Sequence, residues 1–284
     1  MRPRPTNDSN QQKPSKAAHF DLLGSTAIIE TKNLKDKGKS LAELILKNNK
    51  NIKTVLAKAG PVTGQYRTRK YRYVAGKRRY TVEYRESGCT FSFDPRRTFF
   101  SPRLSYERSR INGLVNGGEN VMVLFAGAGP FVVVIAKSHK DVHVVGIEKN
   151  PYAYRMMKKN IANNKVLNAI ADKGDVKKRA HFYSGFADRV VMPLPWSSID
   201  FLDDAIRIAK HEAIIHIYVF GETKSVLKES LKLIKLHAKK NHYSVKRLFS
   251  RTVRPYSAKE SEIVIDFKIL KSKRSNVKQH KQKK

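Results

Sequence analysis

The sequence of 284 residues contains a single cysteine, Cys89. A lone thiol excludes a disulfide framework and any zinc site built from cysteines. No apolar run approaches the roughly 20 residues that a helix needs to cross a bilayer, and the N-terminus lacks the apolar segment of a signal peptide. We therefore expect a cytoplasmic protein without a membrane segment.

Acidic residues are also scarce, because 24 Asp and Glu stand against 58 Lys and Arg, which gives a formal net charge of +34. Such an excess causes self-repulsion in the folded state, and a polyanionic partner explains it best. Nucleic acid is the leading candidate. A membrane surface is the weaker one, because the predicted helices do not separate basic and apolar faces well.

The chain divides into four predicted segments. Residues 1–18 are polar and contain prolines, which indicates a flexible basic arm, and residues 19–98 are predicted to form a small α+β domain. Residues 99–270 carry the pattern of a larger α/β domain. Residues 271–284 hold seven basic residues and no acid, which indicates a disordered tail that either contacts phosphates or is merely solvated.

In the small domain, residues 19–30 are predicted to form one strand and residues 40–48 an amphipathic helix with Ser40 as its N-cap. Residues 53–56 are a further candidate strand. Between Tyr71 and Phe93, short β-rich runs separated by turn residues predict antiparallel strands.

The pattern from Glu119 onward alternates strand and helix, which predicts a mostly parallel sheet with both faces covered. The first strand enters a turn at residues 125–130, where Gly127 and Gly129 permit close approach of the backbone to a ligand. Glu148 ends the next strand, 21 positions after Gly127, where a carboxylate can accept ribose hydroxyls. Either feature alone would be an ordinary structural one, but together they favour a nucleoside cofactor.

Four observations favour S-adenosylmethionine as that cofactor. Val132 stands where a dinucleotide fingerprint requires a third glycine, and the chain has no phosphate-loop Lys-Ser/Thr motif. Asp175 is placed to accept an adenine amino group. A later strand ends in Pro193-Leu194-Pro195, at the position where a methyltransferase holds the group to be modified.

Seven motifs follow one another in the order of a known enzyme family. They are GQYRTRKYRYVAG (64–76), YRESGCTFSFD (84–94), FFSPRLSYERSRI (99–111), FAGAGPF, IEKNPYAY, GDV and DRVVMPLP. The chain from residue 19 to about 270 resembles the tRNA (guanine-37-N1)-methyltransferases of the archaeal and eukaryotic type, which include archaeal members acting in wyosine formation.

The resemblance implies a class I, Rossmann-like methyltransferase fold with a smaller N-terminal α+β domain that helps hold the anticodon stem-loop of tRNA. It also implies methyl transfer from S-adenosylmethionine to N1 of guanosine 37 by a monomeric enzyme. Glu107 matches the family's general base, and Arg67 matches the arginine that stabilises O6. Apart from the resemblance, Glu107 would be a helix carboxylate paired with Arg103 or Arg110.

The other expected site residues fall into two groups: Phe125, Gly127, Gly129, Glu148 and Asp175 hold the cofactor, and Arg103, Pro193 and Pro195 contact the substrate. Two positions depart from the family pattern, because Val123 replaces an aspartate and Pro193 an asparagine. The small extra domain at the start of many archaeal members is also absent from the match. We hypothesise that the basic arm, tail and surface partly replace its contacts with tRNA.

Two alternatives remain open. A wyosine-pathway aminocarboxypropyl transferase shares the fold, but its glycine turn typically ends in Tyr-Phe rather than Pro130-Phe131, and it lacks the Pro102-Arg103-Leu104 sequence. A non-catalytic tRNA-binding protein on a decayed methyltransferase fold is the second alternative.

Histidine, tryptophan and tyrosine side chains are further candidates for metal binding or base stacking. His211 and His216 have no partner at metal-ligand spacing, so no metal is expected. Trp196 and Tyr218 could stack on a flipped base, although core packing is the default for each.

Overall fold

The computed structural model of the chain describes residues 20–30 and 37–271. The predicted arm and, apart from Lys271, the predicted tail lie outside the described residues. Lys271 itself is the last residue of a strand. Within the described ranges, none of the helices combines the length and the apolar character that a membrane crossing requires.

The N-terminal part is a four-stranded sheet covered by one helix. Its elements are β1 (Phe20–Leu23), β2 (Thr26–Ile29), α1 (Lys37–Asn48), β3 (Thr54–Thr63) and β4 (Thr68–Gly76). The strands lie in that order, and only β2 and β3 are parallel, because α1 connects them. Ala42 and Ile45 of α1 pack against Ala27 and Val55 to form a core of their own.

Two local predictions in this region are wrong. Residues 19–30 form the β1–β2 hairpin rather than one strand, because Gly24 (φ +56°) turns the chain there. A Cβ on Gly24 would lie 1.8 Å from the carbonyl oxygen of Glu83, so only glycine fits this contact. The helix begins at Lys37, which places Ser40 inside it rather than at its N-cap.

A separate hairpin of β5 (Val82–Glu86) and β6 (Cys89–Phe93) follows, and its side chains contribute to the core of the larger domain. Phe91 and Phe93 are fully buried in the same cluster as Val121. The domain boundary after residue 98 stays a prediction. Because the hairpin packs on the larger domain, we propose a boundary near residue 80 instead.

The larger domain alternates strands with helices after a first helix, α2 (Ser105–Asn112). Its elements are β7 (Asn120–Leu124), α3 (Pro130–Ser138), β8 (His143–Glu148), α4 (Pro151–Asn163), β9 (Ala169–Lys173), α5 (Val176–Arg179), β10 (Ala187–Met192), α6 (Leu202–Ile208), β11 (Ala209–Glu222), α7 (Val226–Lys240), β12 (Tyr243–Pro255) and β13 (Glu260–Lys271). Short 3₁₀ turns lie at Pro102–Leu104, Ala180–Tyr183 and Ser198–Phe201.

The sheet has the strand order β12-β13-β11-β10-β7-β8-β9. The five strands from β11 to β9 are parallel, and β13 lies antiparallel between β11 and β12. The predicted fold class, a class I methyltransferase sheet with a smaller N-terminal domain, is confirmed. The reversal of strand order at β7 and β10 places a crevice at the carboxyl ends of these strands, where α/β proteins bind ligands.

Helices cover both faces of this sheet, as the alternating pattern predicts. Phe131 of α3 and Ile111 of α2 pack on one face, while Leu202 of α6 and Ile234 of α7 pack on the other. Alternate residues of β11 therefore point to different layers, and Tyr218 faces the α2 side. This alternation decides which side chains meet at the candidate site.

Candidate active site

The glycine turn after β7 is held in a left-handed backbone conformation by a buried carboxylate. Phe125, Gly127 and Gly129 have φ angles of +55°, +59° and +84°. Glu148 Oε2 accepts a hydrogen bond from the Gly127 amide at 2.7 Å, and its Oε1 accepts one from the Asn150 amide at 2.6 Å. Burial raises the pKa of Glu148, although these backbone hydrogen bonds oppose the rise. The turn and the carboxylate that the sequence analysis paired are therefore in direct contact.

Two glycines of this turn meet different surroundings. A Cβ on Gly129 would lie 2.7 Å from Met157 Cγ, so close packing against α4 requires glycine there. A Cβ on Gly127 would have only the Phe99 carbonyl oxygen within 4 Å, at 3.7 Å. The backbone at Gly127 is thus accessible to a ligand, as a cofactor turn requires. The ring of Phe125 packs edge-to-face on Phe201 with a centroid distance of 4.7 Å.

Asp175 lies at the same edge of the sheet. It follows β9, which pairs with β8 so that Lys173 is opposite Glu148. Its side chain accepts a hydrogen bond from the Lys177 amide at 3.0 Å and pairs with Lys149 Nζ at 2.8 Å. The hydrogen bond from Lys149 is the main reason that the pKa of Asp175 is lowered. Glu148 and Asp175 therefore present two carboxylates at adjacent strand ends.

Glu107 on α2 is fully buried, with 0% of its surface exposed. Its Oε2 accepts hydrogen bonds from the hydroxyl of Tyr218 at 2.8 Å and from Arg110 Nε at 3.0 Å. Its Oε1 accepts a hydrogen bond from Arg251 Nε at 2.9 Å and a second from the same guanidinium. Burial and the nearby Glu107 carboxylate raise the pKa of Tyr218 well above its usual value, so the phenol stays protonated and donates.

Arg251 separates Glu107 from solvent. Its side chain is 33% exposed and lies over the ring of Tyr106, 4.4 Å from the centroid. Of the two arginines predicted as partners of Glu107, only Arg110 pairs with it. Arg103 instead pairs with Asp21 of β1 at 2.7 Å and so links the two domains. Its predicted contact with substrate stays a prediction.

Arg67 lies in the turn between β3 and β4, with φ +50°. Its guanidinium carbon is 5.1 Å from the ring centroid of Trp196, which is 45% exposed. Burial lowers the pKa of Arg67, and the nearby Tyr256 and Glu262 partly oppose this effect. The small domain thus extends one arginine to the loop that follows β10.

The register of the sheet relates Glu107 to Arg67. Tyr218, which binds Glu107, and Phe220 lie two residues apart on β11 and therefore share one face, about 7 Å from each other along the strand. Phe220 is opposite Glu262 on β13, the carboxylate whose negative charge acts to raise the pKa of Arg67. The ring centroids of Phe220 and Trp196 are 3.7 Å apart. Neighbouring positions on one sheet face therefore contact Glu107 directly, through Tyr218, and Arg67 indirectly, through Phe220 and Trp196.

The two departures from the family pattern occupy different surroundings. Val123 is fully buried in β7, with Val191 and Gly146 on the neighbouring strands, so the layer beneath the glycine turn is apolar. Pro193 and Pro195 follow β10 in a loop that the Ser198 hydroxyl stabilises by hydrogen bonds to two carbonyl oxygens. Both prolines thus lie in the loop that also carries Trp196, the residue that Arg67 contacts.

Several residues around Glu107 were missed in the sequence analysis. Arg251 was not considered, and Tyr218 was considered only for stacking or core packing. Asp266 of β13, which binds Arg110, was also missed. The available signal was the presence of charged residues at inward-facing positions of otherwise apolar strands, such as Asp266 within SEIVIDFKIL. Across residues 20–30 and 37–271, no group of three His, Cys, Asp or Glu side chains could hold a metal ion.

Comparison with known proteins identifies two family models along the chain. The TRM5/TYW2 methyltransferase domain matches residues 81–246, and the TYW2 N-terminal domain matches residues 10–79.

Three curated relatives cover most of the chain. The tRNA (guanine(37)-N(1))-methyltransferase Trm5b of Pyrococcus abyssi is 35% identical over 88% of this chain and 74% of its own length. The tRNA 4-demethylwyosine(37)-methyltransferase Taw21 of Saccharolobus solfataricus is 31% identical over 88% and 93%. The tRNA(Phe) (4-demethylwyosine(37)-C(7)) aminocarboxypropyltransferase of Methanocaldococcus jannaschii is 30% identical over 88% and 97%.

Solved structures show the same relationship. Pyrococcus abyssi Trm5b superposes with a TM-score of 0.80 at 34% identity, covering 89% of this chain and 75% of its own. The complex of aTrm5 with tRNALeu gives 0.77 at 30% identity, covering 88% and 71%. Pyrococcus horikoshii TYW2 in complex with MeSAdo gives 0.79 at 26% identity, covering 89% and 91%. The resemblance inferred from the motifs is confirmed, and the chain belongs to the TRM5/TYW2 methyltransferase family.

Proposed function

We propose that this protein transfers the methyl group of S-adenosylmethionine to N1 of guanosine 37 in tRNA, with Glu107 as general base and Arg67 stabilising the charge on O6. The observation that carries the proposal is the buried Glu107 cluster two residues along β11 from Phe220, whose ring packs on Trp196, the residue that Arg67 contacts. The curated relative Trm5b, named for this reaction, supports it.

The crevice residues fit the cofactor. The left-handed turn exposes the backbone at Gly127, and each oxygen of Glu148 keeps a lone pair after accepting one backbone hydrogen bond. Glu148 would hold the ribose hydroxyls and Asp175 the adenine amino group, while Phe125 and Gly129 shape the turn. When bound, S-adenosylmethionine supplies an electrophilic methyl group. The TYW2 structure with MeSAdo supports this cofactor assignment.

The two oxygens of Glu107 have different roles in the proposed reaction. N1 of guanine must lose its proton before its lone pair can attack, which requires a base at hydrogen-bond distance. Oε2 is saturated by the buried donors Tyr218 and Arg110, whereas Oε1 is covered only by the partly exposed Arg251. Oε1 therefore accepts the proton once Arg251 turns outward. Arg67 then stabilises the negative charge that builds on O6.

The substrate is proposed to be held between the two domains. Arg103, Pro193 and Pro195 are its proposed contacts, and Trp196 lies beside them with an exposed ring. The complex of aTrm5 with tRNALeu supports tRNA as the partner. We propose that the N-terminal sheet contacts the anticodon stem-loop and that the protein acts as a cytoplasmic monomer.

The aminocarboxypropyl transferase is the second candidate, because a relative with that name covers 88% of the chain at 30% identity. Two sequence features favour methyl transfer over it, namely Pro130 after the glycine turn and the Pro102-Arg103-Leu104 turn before α2. The relationship to Taw21 also makes a wyosine intermediate an alternative methyl acceptor. These candidates differ in the mass of the product and in the acceptor base.

The deciding experiment incubates the full chain with S-adenosylmethionine and tRNA transcripts that carry G or A at position 37. We expect one added methyl group on the G37 transcript and none on the A37 transcript, measured by mass spectrometry of nucleosides. A heavier aminocarboxypropyl adduct, or methylation only of tRNA that already carries 4-demethylwyosine, would contradict the proposal. If calorimetry detects no binding of millimolar S-adenosylmethionine, the non-catalytic alternative holds.

Two variants test the role assignments. Glu107→Gln should lower kcat by about 10²–10⁴-fold because it removes the base. Arg67→Ala should lower kcat by about 10²–10³-fold because it removes the charge at O6.

The dissociation constant for tRNA should change little in either variant. Glu83→Gln, which alters an exposed carboxylate, is the matched control and should retain full activity. Equal losses in binding and turnover would contradict the assigned roles.

A further inference from the structure

A chain of buried charged side chains leads away from Glu107 beneath α2. Arg110 donates to Glu107 Oε2 through Nε at 3.0 Å, while its two terminal nitrogens donate to Asp266 at 2.5 and 3.3 Å. Asp266 lies in the middle of β13 and is 2% exposed. Although burial would raise the pKa of Asp266, hydrogen bonding with His216 and Arg110 lowers it. Asp266 is therefore an anion in the interior of the domain.

The far side of Asp266 is also fixed by buried groups. His216 Nδ1 lies 2.8 Å from Asp266 Oδ1, and His216 Nε2 lies 2.7 Å from a terminal nitrogen of Arg189. A guanidinium only donates, so Nε2 accepts and the ring proton is on Nδ1, facing Asp266. Arg189 is in turn paired with Glu119 at 2.7 Å. The orientation of Asp266 is thus set by His216 on β11, which is held in turn by Arg189 on β10 and by Glu119 just before β7.

The planar guanidinium of Arg110 links the orientation of Asp266 to the carboxylate of Glu107. The group is planar and presents its five N–H donors in a rigid fork. Nη1 of Arg110 donates to Asp266, and Nη2 is shared, 3.3 Å from Asp266 Oδ1 and 3.0 Å from Glu107 Oε2, so that Arg110 reaches only the Oε2 oxygen of Glu107. Without Asp266, the fork is free to turn and pair with both oxygens of Glu107. Asp266 therefore confines Arg110 to one oxygen of Glu107.

Stability alone is a poor explanation for this arrangement. A buried ion pair gains little net free energy, because desolvation of its charges offsets their attraction, and apolar replacements of similar size are often neutral or stabilising. Asp266 stands between apolar neighbours, with Ile265 and Phe267 on the opposite face of the same strand. Its charge faces His216 on one side and Arg110 on the other, and through Arg110 it acts on the carboxylate of Glu107.

We propose that Asp266 is a positioning residue for methyl transfer, which confines Arg110 to Oε2 of Glu107 and so keeps it away from Oε1, the oxygen that accepts the proton. The inference rests on the proposed role of Glu107. The groups that face Glu107 are Arg110 on its own helix, Tyr218 on β11 and Arg251 on β12. Asp266 is the group that restrains Arg110.

The test compares Asp266→Asn with the unmodified full chain in methyl transfer to G37 tRNA. We expect kcat to fall by about 10–100-fold, with KM for tRNA and for S-adenosylmethionine within about twofold, because only the base is impaired. The acidic limb of the kcat–pH profile should move to lower pH, because Arg110 then stabilises the ionised form of Glu107 more strongly. Asp266→Asn combined with Arg110→Gln should return that limb toward its original position.

Glu86→Gln is the matched control. Glu86 and Arg108 form a buried pair on the other side of α2, so this variant disturbs the same helix without changing a partner of Glu107. We expect a lower Tm but an unchanged pH profile. If Asp266→Asn does not fold, His216→Gln replaces it, and a smaller shift in the same direction is expected.

The outcomes separate this inference from the proposed function. If Glu107→Gln is inactive while a folded Asp266→Asn variant keeps its kcat and pH profile, only the positioning role is overturned. A loss of kcat no larger than that of Glu86→Gln, with no shift of the acidic limb, also overturns it. If Glu107→Gln itself keeps full activity, the proposed base fails whatever Asp266 does.

Discussion

Glu148 combines burial with two backbone hydrogen bonds, so its environment both raises its pKa and fixes its orientation. Each of its oxygens points at one amide and keeps capacity for a second donor. A vicinal diol matches this pair of acceptors, since it offers one hydroxyl to each oxygen. The residue therefore connects the shape of the glycine turn to recognition of a ribose.

Glu148→Gln provides a test at the residue scale. The amide replaces one charged acceptor with a donor, so we expect S-adenosylmethionine to bind about 10–100-fold more weakly, which corresponds to roughly 1.4–2.7 kcal/mol. Calorimetry measures this affinity, and the dissociation constant for tRNA should stay unchanged. An unaltered cofactor affinity would remove Glu148 from the cofactor site.

His216 makes the stability of the protein depend on pH. Burial lowers its pKa below 6.5, with Arg189 and Arg110 adding to that effect and Asp266 opposing it. The unfolded chain therefore binds a proton at a higher pH than the folded chain does. The free energy of unfolding contributed by His216 is complete above pH 6.5 and is lost as pH falls from there toward its folded pKa.

We expect His216→Gln to flatten this dependence. One group changes the slope by at most about 1.4 kcal/mol per pH unit, so urea unfolding between pH 7 and pH 5 resolves it. The unmodified protein should lose more stability over this interval than the variant. Identical slopes would show that His216 does not titrate between the folded and unfolded states.

At the scale of elements, α4 binds the edge of β6 through two asparagines one helical turn apart. Asn164 exchanges hydrogen bonds with the backbone of Thr90 at 2.8 and 2.7 Å. Asn160 does the same with Ser92 at 2.8 and 3.3 Å, and its amide also donates to the Ala128 carbonyl at 2.8 Å. The hairpin is thereby joined to α4, and through Ala128 to the glycine turn.

These two asparagines should differ in their effect on the cofactor. Asn160→Ala leaves three buried backbone groups without partners, so we expect a loss of about 3 kcal/mol in the free energy of unfolding. It should also weaken S-adenosylmethionine binding by about 3–10-fold, or roughly 1 kcal/mol, because Ala128 is released. Asn164→Ala is the matched control, with a stability loss of about 2 kcal/mol and an unchanged cofactor affinity. Equal effects on affinity would disprove the link to the turn.

For the whole molecule, the charge of +34 must be balanced by the phosphates of its partner or by counterions. Each phosphate that a Lys or Arg neutralises contributes about 0.7–0.9 to the slope of log K against log salt. The final 13 residues after Lys271 hold six basic side chains, so their contribution is large if they contact tRNA.

Removal of residues 272–284 tests that contribution while leaving β13 intact. We expect weaker tRNA binding and a shallower salt dependence, measured by filter binding at several salt concentrations. The kcat at saturating tRNA should stay the same, because the variant keeps every residue that is assigned to the cofactor or to catalysis. If affinity and slope do not change, the basic tail does not contribute to tRNA binding.

The sequence by itself determined the order of strands and helices, the glycine turn with Glu148, and the family. These features are encoded locally, in the periodicity of apolar residues and in short motifs. The β1–β2 turn was nonetheless missed, since Gly24 and Ser25 leave only four residues on each side of the turn. Short elements give too few residues for a period to be recognised.

Only the tertiary structure decided what surrounds Glu107. Tyr218, Arg251 and Asp266 lie 111 or more positions from Glu107 along the chain, and antiparallel pairing of β13 with β11 and β12 brings them to one sheet face. The register of those strands fixes which alternate residues face α2. No local pattern contains that register, because it arises from the packing of a whole sheet against one helix.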